Sequence, residues 1–364
     1  MEFWQLPGPA AFARTLADAV MSGSNVIVAS PVSAAVNVAR MVDAHDGWEL
    51  GGTWPCVATG GLPIDDLFDA LELDERVPGK RTIASFVNSI SRGRRVIVSG
   101  VPPEALPAWI DFATEYESAS RAVSKFDRTQ LVILLSGVSR HLLPRPAPAL
   151  DVVVWNGWVG EADVLGYIAS VWRAEGRGFD SLSRLCARII LRLALWDFDL
   201  VDELLGWPPA DLLAPELLLE KLARSEGMTP GNTWEEGGVC RFDGEDLVHT
   251  LVLVARGDTK GELSMRLWAA QAAEMFPMLE IRRRKLVDRM KAVPEPPARM
   301  VLDGSVVTDL DDVELGGLTH LARVHRYPLV IAQEAERLRW LRNRLAHQCP
   351  VSLDEAQVLF DLPR

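Results

Sequence analysis

The segment Leu131-Val132-Ile133-Leu134-Leu135-Ser136 is the clearest of the apolar runs that decide the fold of the N-terminal part of the chain. Similar runs occupy residues 26–29, 95–99 and 152–155. Between them lie stretches with helical character, such as residues 63–72 and 103–123. Continuous Val, Ile and Leu runs that alternate with helices are typical of a parallel sheet covered on both faces. We therefore predict an α/β domain over residues 1–160.

Length and composition fit an ordinary globular protein with room for more than one domain. The chain has 364 residues, of which 48% are hydrophobic and 24% are charged, so it can bury a substantial core. Its net charge of -12 disfavours a broad nucleic-acid surface, because such surfaces depend on clustered Lys and Arg; a local basic patch is still compatible with it. We find neither a signal peptide nor an apolar run of about 20 residues, and therefore expect a cytoplasmic protein.

The residue types that usually hold metals are not clustered in a way that indicates a metal site. The four cysteines are scattered, at Cys56, Cys186, Cys240 and Cys349. Since they form no Cys-x-x-Cys pair, we interpret them as reduced thiols rather than as disulfides or a zinc site. Three acidic residues lie within 309–312, and we interpret them as helix-capping groups. The sequence thus predicts no metal and no cofactor.

The order of the predicted strands resembles a P-loop NTPase domain of the AAA or STAND kind. In that resemblance the strand at 26–29 precedes the nucleotide-binding loop, and the strand at 95–99 ends in a metal-binding acidic residue. The strand at 131–136 carries a sensor. A phosphate loop needs glycines, so that its amides can wrap the phosphates, followed by Lys and a hydroxyl. Here the loop position reads Ser30-Pro31-Val32-Ser33-Ala34-Ala35-Val36, and the strand at 95–99 ends in Ser99-Gly100.

A loop with neither glycine nor lysine, and a strand end with no acidic residue, indicate a domain that does not hydrolyse ATP. The resemblance is therefore to the inactive STAND-like domains of bacterial conflict (anti-phage) systems. It implies a role as a sensor or docking scaffold. An ATPase with an unusual loop is the alternative interpretation.

The rest of the chain is predicted to be helical. Residues 161–228 hold several helical stretches, which we interpret as a lid or linker domain. Residues 229–364 are predicted to form a C-terminal helical domain, which opens with a polar connecting loop over 229–246. A long helix is expected from about Gly261 to Lys291, where apolar residues recur on one side.

The segment from Glu334 to His347 is the passage whose residues are suited to chemistry. It begins as a helix with leucines at helical spacing and ends in Arg342-Asn343-Arg344-Leu345-Ala346-His347. Histidine can give or take a proton near neutral pH, and arginine can hold a phosphate bidentately. On a continuous helix five residues turn through about 500°, so Arg342 and His347 would point about 140° apart. They converge only if the helix ends near Ala346, which Pro350 favours, or if two copies face each other.

An Arg-Asn-x-x-x-His motif within a helical C-terminal domain resembles the HEPN superfamily, as does the segment at 309–318 before it. The resemblance implies a metal-independent endoribonuclease, in which the ribose 2′-OH attacks the adjacent phosphate. Arg342 would then hold the phosphate, Asn343 would orient one of its neighbours, and His347 would transfer the proton. The resemblance also implies a homodimer, with the site formed across its interface.

Two functions follow from these resemblances. In the first, the chain is a regulated ribonuclease of a bacterial defence or toxin system, with RNA as its substrate. In the second, it is a non-catalytic adaptor that binds the protein partners of such an operon-encoded system. In the adaptor, Arg342 would pair with an acidic neighbour and His347 would cap the C-terminal end of its helix.

Overall fold

The computed structural model describes residues 3–43, 53–73, 81–89, 94–124, 127–293, 300–302 and 305–360. The chain divides into two compact units, each made of two separate segments. The first, here called the sheet unit, comprises Met1–Asp163 and Gly231–His249. The second, the helical unit, comprises Val164–Pro230 and Thr250–Arg364. The chain thus leaves the sheet unit after Asp163 and returns to it at Gly231.

Five parallel strands form the centre of the sheet unit. Its elements are α1 (Pro7–Met21), β1 (Asn25–Ser30), α2 (Ala35–Asp43), β2 (Thr53–Val57), α3 (Pro63–Ala70), α4 (Ile83–Val87), β3 (Arg95–Ser99), α5 (Leu106–Ser120), β4 (Gln130–Ser136), β5 (Leu150–Val154) and the start of α6 (Glu161–Ala174). The strand order is β2-β3-β4-β1-β5, and every neighbouring pair is parallel. The predicted α/β class and the four apolar strands are confirmed.

Both faces of the sheet are covered, which explains the uninterrupted apolar runs. All residues of β1 are buried. On one face, Ile27 joins a core with Trp109 and Tyr116 of α5. On the other side α1 contacts β1, and its Phe12 ring lies edge-on to Trp155 with centroids 4.8 Å apart.

The edge strand β2 was not predicted from the sequence. It pairs only with β3, and most of its residues are exposed or half-buried. Pro55 lies within it, and proline is tolerated in strands chiefly at a sheet edge. A short, half-exposed strand that contains proline has no apolar run to reveal it.

The segment that returns to the sheet unit contains an antiparallel hairpin, where we had predicted a connecting loop. Its strands are β6 (Val239–Phe242) and β7 (Glu245–Val248). The turn between them places Asp243 and Gly244 at positive φ, which is typical of tight hairpins. Asp243 also accepts the amide of Glu161 at 3.2 Å, so the hairpin is tied to the start of α6.

The helical unit is built around one long helix. Its elements are the rest of α6, α7 (Ser181–Ala194), α8 (Phe198–Leu205), α9 (Pro209–Leu213), α10 (Glu216–Ser225), α11 (Thr250–Ala255), α12 (Glu262–Lys291), β8 (Val301–Leu302), β9 (Ser305–Val306), α13 (Leu315–Val324), α14 (Leu329–Ala346) and α15 (Leu353–Phe360). Helix α12 contacts α7, α11, α14 and α15. This confirms the predicted helical C-terminal region and its long helix.

Candidate functional site

Helix α14 ends where the sequence predicted, and its end fixes the backbone of His347. His347 is the C-cap residue of α14, and Gln348 after it has φ +56°. The amide of Gln348 donates to the carbonyl of Leu345 at 3.1 Å, and that of Cys349 donates to Arg344 at 3.0 Å. These two bonds form a Schellman motif, which reverses the chain and satisfies the last carbonyls of the helix.

Side chains of helix α12 stabilise this turn through hydrogen bonds. The indole of Trp268 donates to the carbonyl of Leu345 at 2.6 Å. The fully buried amide of Gln271 makes two bonds to the backbone of Val351, each 2.8 Å long. Arg344 adds a bond of 3.0 Å to the carbonyl of Pro350. His347 therefore projects from a backbone that is held on both sides.

The side chain of His347 is exposed and lines a small pocket of about 230 Å³. The same pocket is lined by Asn343, Arg344 and Trp340. The guanidinium of Arg344 lies 5.6 Å from the centroid of the Trp340 ring, within the range of a cation–π contact. A proton-transferring group, a cation and an aromatic ring are thus together in one concave site.

Arg342 lies elsewhere on the helix. It is exposed and lines a separate pocket of about 350 Å³ together with Glu280, Asp311 and Glu314. Its Nη1 atom lies 3.5 Å from Oδ1 of Asn343, which is a long contact. The end of α14 therefore does not bring Arg342 to His347 within one chain. Arg342 instead shares its pocket with Arg283 and with several carboxylates of other elements.

Of the three residues predicted for the site, the structure brings Asn343 and His347 together and leaves Arg342 apart. Trp340 and Arg344 also line the pocket and were not predicted. Their positions, seven and three residues before His347, place them on its side of a helix. Helical spacing would have found them, whereas the motif drew attention to Arg342.

A second candidate site is the edge of the sheet at which the parallel strands end. In open α/β sheets, ligands bind in the crevice outside these carboxyl ends. Here that crevice is occupied by the chain itself, through residues 233–238 (the crevice segment). The carbonyl of Glu235 accepts the amide of Val32, just beyond β1, at 2.8 Å. Its carboxylate accepts a bond from Ser139, which follows β4.

The crevice segment is closely packed. Trp234 is buried within the core cluster of the sheet unit, and the guanidinium of Arg140 lies 5.5 Å from its ring. A Cβ atom on Gly237 would lie 2.2 Å from Oγ of Ser33, so only glycine fits there. The residues at the position of the phosphate loop therefore contact the chain's own crevice segment, to which Val32 donates its amide.

Of the acidic residues at 309–312, Asp309 has the predicted capping role. Asp309 accepts the amide of Asp311 at 3.0 Å and caps a short 3₁₀ helix. Lys291 donates to Asp309 at 2.9 Å and to Asp311 at 2.6 Å. Within the part of the chain that the structure describes, no group of three His, Cys, Asp or Glu residues could hold a metal ion.

Three further findings concern the chain as a whole. None of the helices among the described residues is long and apolar enough to cross a membrane. The four cysteines are free thiols; Cys56, Cys186 and Cys240 are buried, and burial raises the pKa of the Cys240 thiol to about 11.

Compared with known proteins, the chain matches no family model and has no significant match among curated proteins.

Proposed function

We propose that the chain is a component of a bacterial defence system, in which the helical unit is a metal-independent endoribonuclease that acts at His347. The observation that carries this proposal is the pocket at the end of α14. There His347 is exposed on a rigid turn beside Arg344 and Trp340. This arrangement joins a proton-transferring group to a cation that suits a phosphate.

The proposed reaction needs no group beyond these side chains. The ribose 2′-OH attacks the adjacent phosphorus and its proton passes to a base, while the bond from phosphorus to the 5′-oxygen breaks. The leaving 5′-oxygen gains a proton, and the products are a 2′,3′-cyclic phosphate and a 5′-hydroxyl. His347 serves in proton transfer, and an arginine stabilises the charge on the phosphate.

The placement of Arg342 supports a site shared between two copies of the chain. Arg342 and His347 line separate pockets, so both can contact one phosphate only if they come from different copies. Within one copy, Arg344 and Arg339 are the cations that line the pocket of His347. In the homodimer that the HEPN resemblance implies, Arg342 is needed for cleavage. In a site built on Arg344, it is not.

For the sheet unit we propose a role as an inactive P-loop-like sensor or docking scaffold. In the resemblance, β3 ends in the acidic residue, β4 carries the sensor and β1 precedes the nucleotide-binding loop. These three strands are neighbours in the order β3-β4-β1. This order supports the resemblance to AAA and STAND domains. The crevice segment that packs beyond β1 and β4 supports the absence of nucleotide hydrolysis.

An RNA cleavage assay in EDTA tests the ribonuclease. We expect wild-type protein to cleave single-stranded RNA and His347→Ala to lose about 10²–10⁴-fold in rate, the usual contribution of a proton-transferring group. His320→Ala, a change at an exposed histidine of α13, is the control and should keep full activity. If neither His347→Ala nor Arg342→Ala changes the cleavage rate, the proposal is refuted.

Mixing the two inactive variants tests the shared site. If Arg342 and His347 act across two copies, a mixture of Arg342→Ala and His347→Ala restores cleavage, because the mixed dimer contains one intact pair. If Arg344 serves instead, Arg344→Ala abolishes cleavage, Arg342→Ala has little effect, and mixing restores nothing.

The non-catalytic adaptor is the second candidate, and the separation of Arg342 from His347 within one chain favours it. The capping position of His347 fits this function as well, since a histidine there can be purely structural. The adaptor predicts that the wild-type protein does not cleave RNA at any concentration at which it dimerises.

A further inference from the structure

The exposed face of α14 carries basic and aromatic side chains at helical spacing. Arg337, Trp340, Arg344 and His347 are separated by three, four and three residues, so they share a sector of about 80° on the helix. Arg337, Trp340 and His347 are exposed, and Arg344 is half-buried. Trp340 keeps 42% of its surface open, which is unusual for so large an apolar residue unless the surface has a use.

The first half of this face borders a groove of about 760 Å³ between α12 and α14. Its lining includes four cations, Arg282, Lys285, Arg289 and Arg337, and two carboxylates, Asp288 and Glu334. Arg289 pairs with Glu334 across the groove. Among the residues that the structure describes, no carboxylate forms an ion pair with Lys285 or Arg337, so both cations are available to an anion.

The positive charge on this face is local, since the whole chain carries a net charge of -12. Phosphate groups would therefore be attracted here and repelled by most of the remaining surface. A cationic groove with an exposed aromatic ring is the usual means of binding a single strand, because the cations follow the backbone and the ring stacks on a base. A duplex cannot use the ring, since its bases are already stacked.

We propose that this face of α14 is a binding path for single-stranded RNA, in which Lys285 and Arg337 hold phosphates and Trp340 stacks on a base next to the bond that is cut. The path leads to His347, so the inference rests on the proposed function and adds the residues that bind the strand. Arg344 lies against the Trp340 ring and fixes its orientation.

The test measures RNA binding separately from cleavage. Every protein carries His347→Ala, so that the RNA stays intact, and a labelled single-stranded RNA is titrated by fluorescence anisotropy. Adding Trp340→Ala should weaken binding about 5- to 150-fold, the range for loss of one stacked base. Trp340→Phe should restore much of the affinity. Leu217→Ala removes an exposed apolar side chain from α10 of the same unit and should have no effect.

The salt dependence tests the two cations. The double variant Lys285→Glu, Arg337→Glu should make the negative slope of log K against log salt concentration less steep by about 1.4. This is the value for two phosphate contacts on a single strand. Lys221→Glu, an equal charge reversal on an exposed residue of α10, should leave the slope unchanged. Binding to an RNA duplex should not respond to Trp340→Ala.

The outcomes separate this inference from the proposed function. If wild-type protein cleaves RNA through His347 but Trp340→Ala and the double charge reversal leave the affinity unchanged, the path is refuted and the ribonuclease stands. If the RNA binds with the expected dependence on Trp340 and is never cleaved, the ribonuclease is refuted and the path stands. Equal weakening by the control variants refutes the path as well.

Discussion

The pair of hydrogen bonds between Gln271 and Val351 gives the sharpest prediction about stability. Both residues are buried, Gln271 being 0% exposed, and both bonds are 2.8 Å long. Gln271→Leu keeps a similar volume but leaves the amide and the carbonyl of Val351 without partners. A buried polar group without a partner costs about 1–3 kcal/mol, so two of them should lower the free energy of unfolding by about 2–6 kcal/mol.

Two measurements check this value. Urea denaturation followed by far-ultraviolet circular dichroism reports mainly on the helices and gives the change in stability. Hydrogen exchange reports on the Val351 amide itself, which should lose its protection in Gln271→Leu. Gln333→Leu is the matched control, because Gln333 is exposed on α14 and its replacement should change stability by no more than about 0.5 kcal/mol.

The same substitution should also affect the candidate site at His347. The Gln271 bonds hold the chain four residues after His347, so their loss should loosen the turn that presents the histidine. For the proposed ribonuclease, we expect slower cleavage by Gln271→Leu even at temperatures where the protein stays folded. A change in stability below about 1 kcal/mol, with the Val351 amide still protected, would refute the reasoning.

Three further substitutions test other features. Gln348→Gly should raise the urea midpoint by the equivalent of about 0.5–1 kcal/mol, because Gln348 has a positive φ that glycine adopts without strain; an unchanged or lower midpoint would contradict this. Trp234→Ala should cost about 3–5 kcal/mol since Trp234 is 3% exposed, whereas the exposed Trp340→Ala should cost far less, and equal losses would refute the burial argument. A hydrogen bond from Arg283 lowers the pKa of Glu280 to about 2, so Glu280 should stabilise the fold above pH about 4.5 and lose this effect as the pH falls towards 2. Glu280 is 46% exposed on its side chain, so its contribution should stay below about 1 kcal/mol, and Glu280→Gln should abolish that part of an acid titration of stability.

The fold was predictable where burial alone determines the residue type. The strands β1, β3, β4 and β5 are buried enough to require continuous apolar runs, and these runs were found. The edge strand β2 was missed because Pro55 and its exposed neighbours follow no such pattern. The hairpin at 239–248 was missed because its strands are short and its polar residues resemble those of a loop.

The candidate site was predictable only along its own helix. Periodicity and Pro350 gave the end of α14 and the position of His347. The contacts that hold the turn come from Trp268 and Gln271, far earlier in the chain, and no local pattern connects them to it. The separation of Arg342 from His347 is what a five-residue spacing on one helix predicts, whereas the carboxylates that line the Arg342 pocket come from other elements.

The crevice segment has a consequence for the order in which the protein is made. The first 163 residues supply the five parallel strands of the sheet unit, but Trp234, which belongs to its core, follows the first part of the helical unit. The ribosome must add 86 more residues after Asp163 to reach His249 (249 − 163 = 86). At about 5–20 residues per second this takes roughly 4–17 s, during which the carboxyl edge of the sheet is uncovered. Folding of the nascent chain therefore has to protect this edge until residues 231–249 arrive, and a fragment that ends at Asp163 should aggregate where the full chain does not.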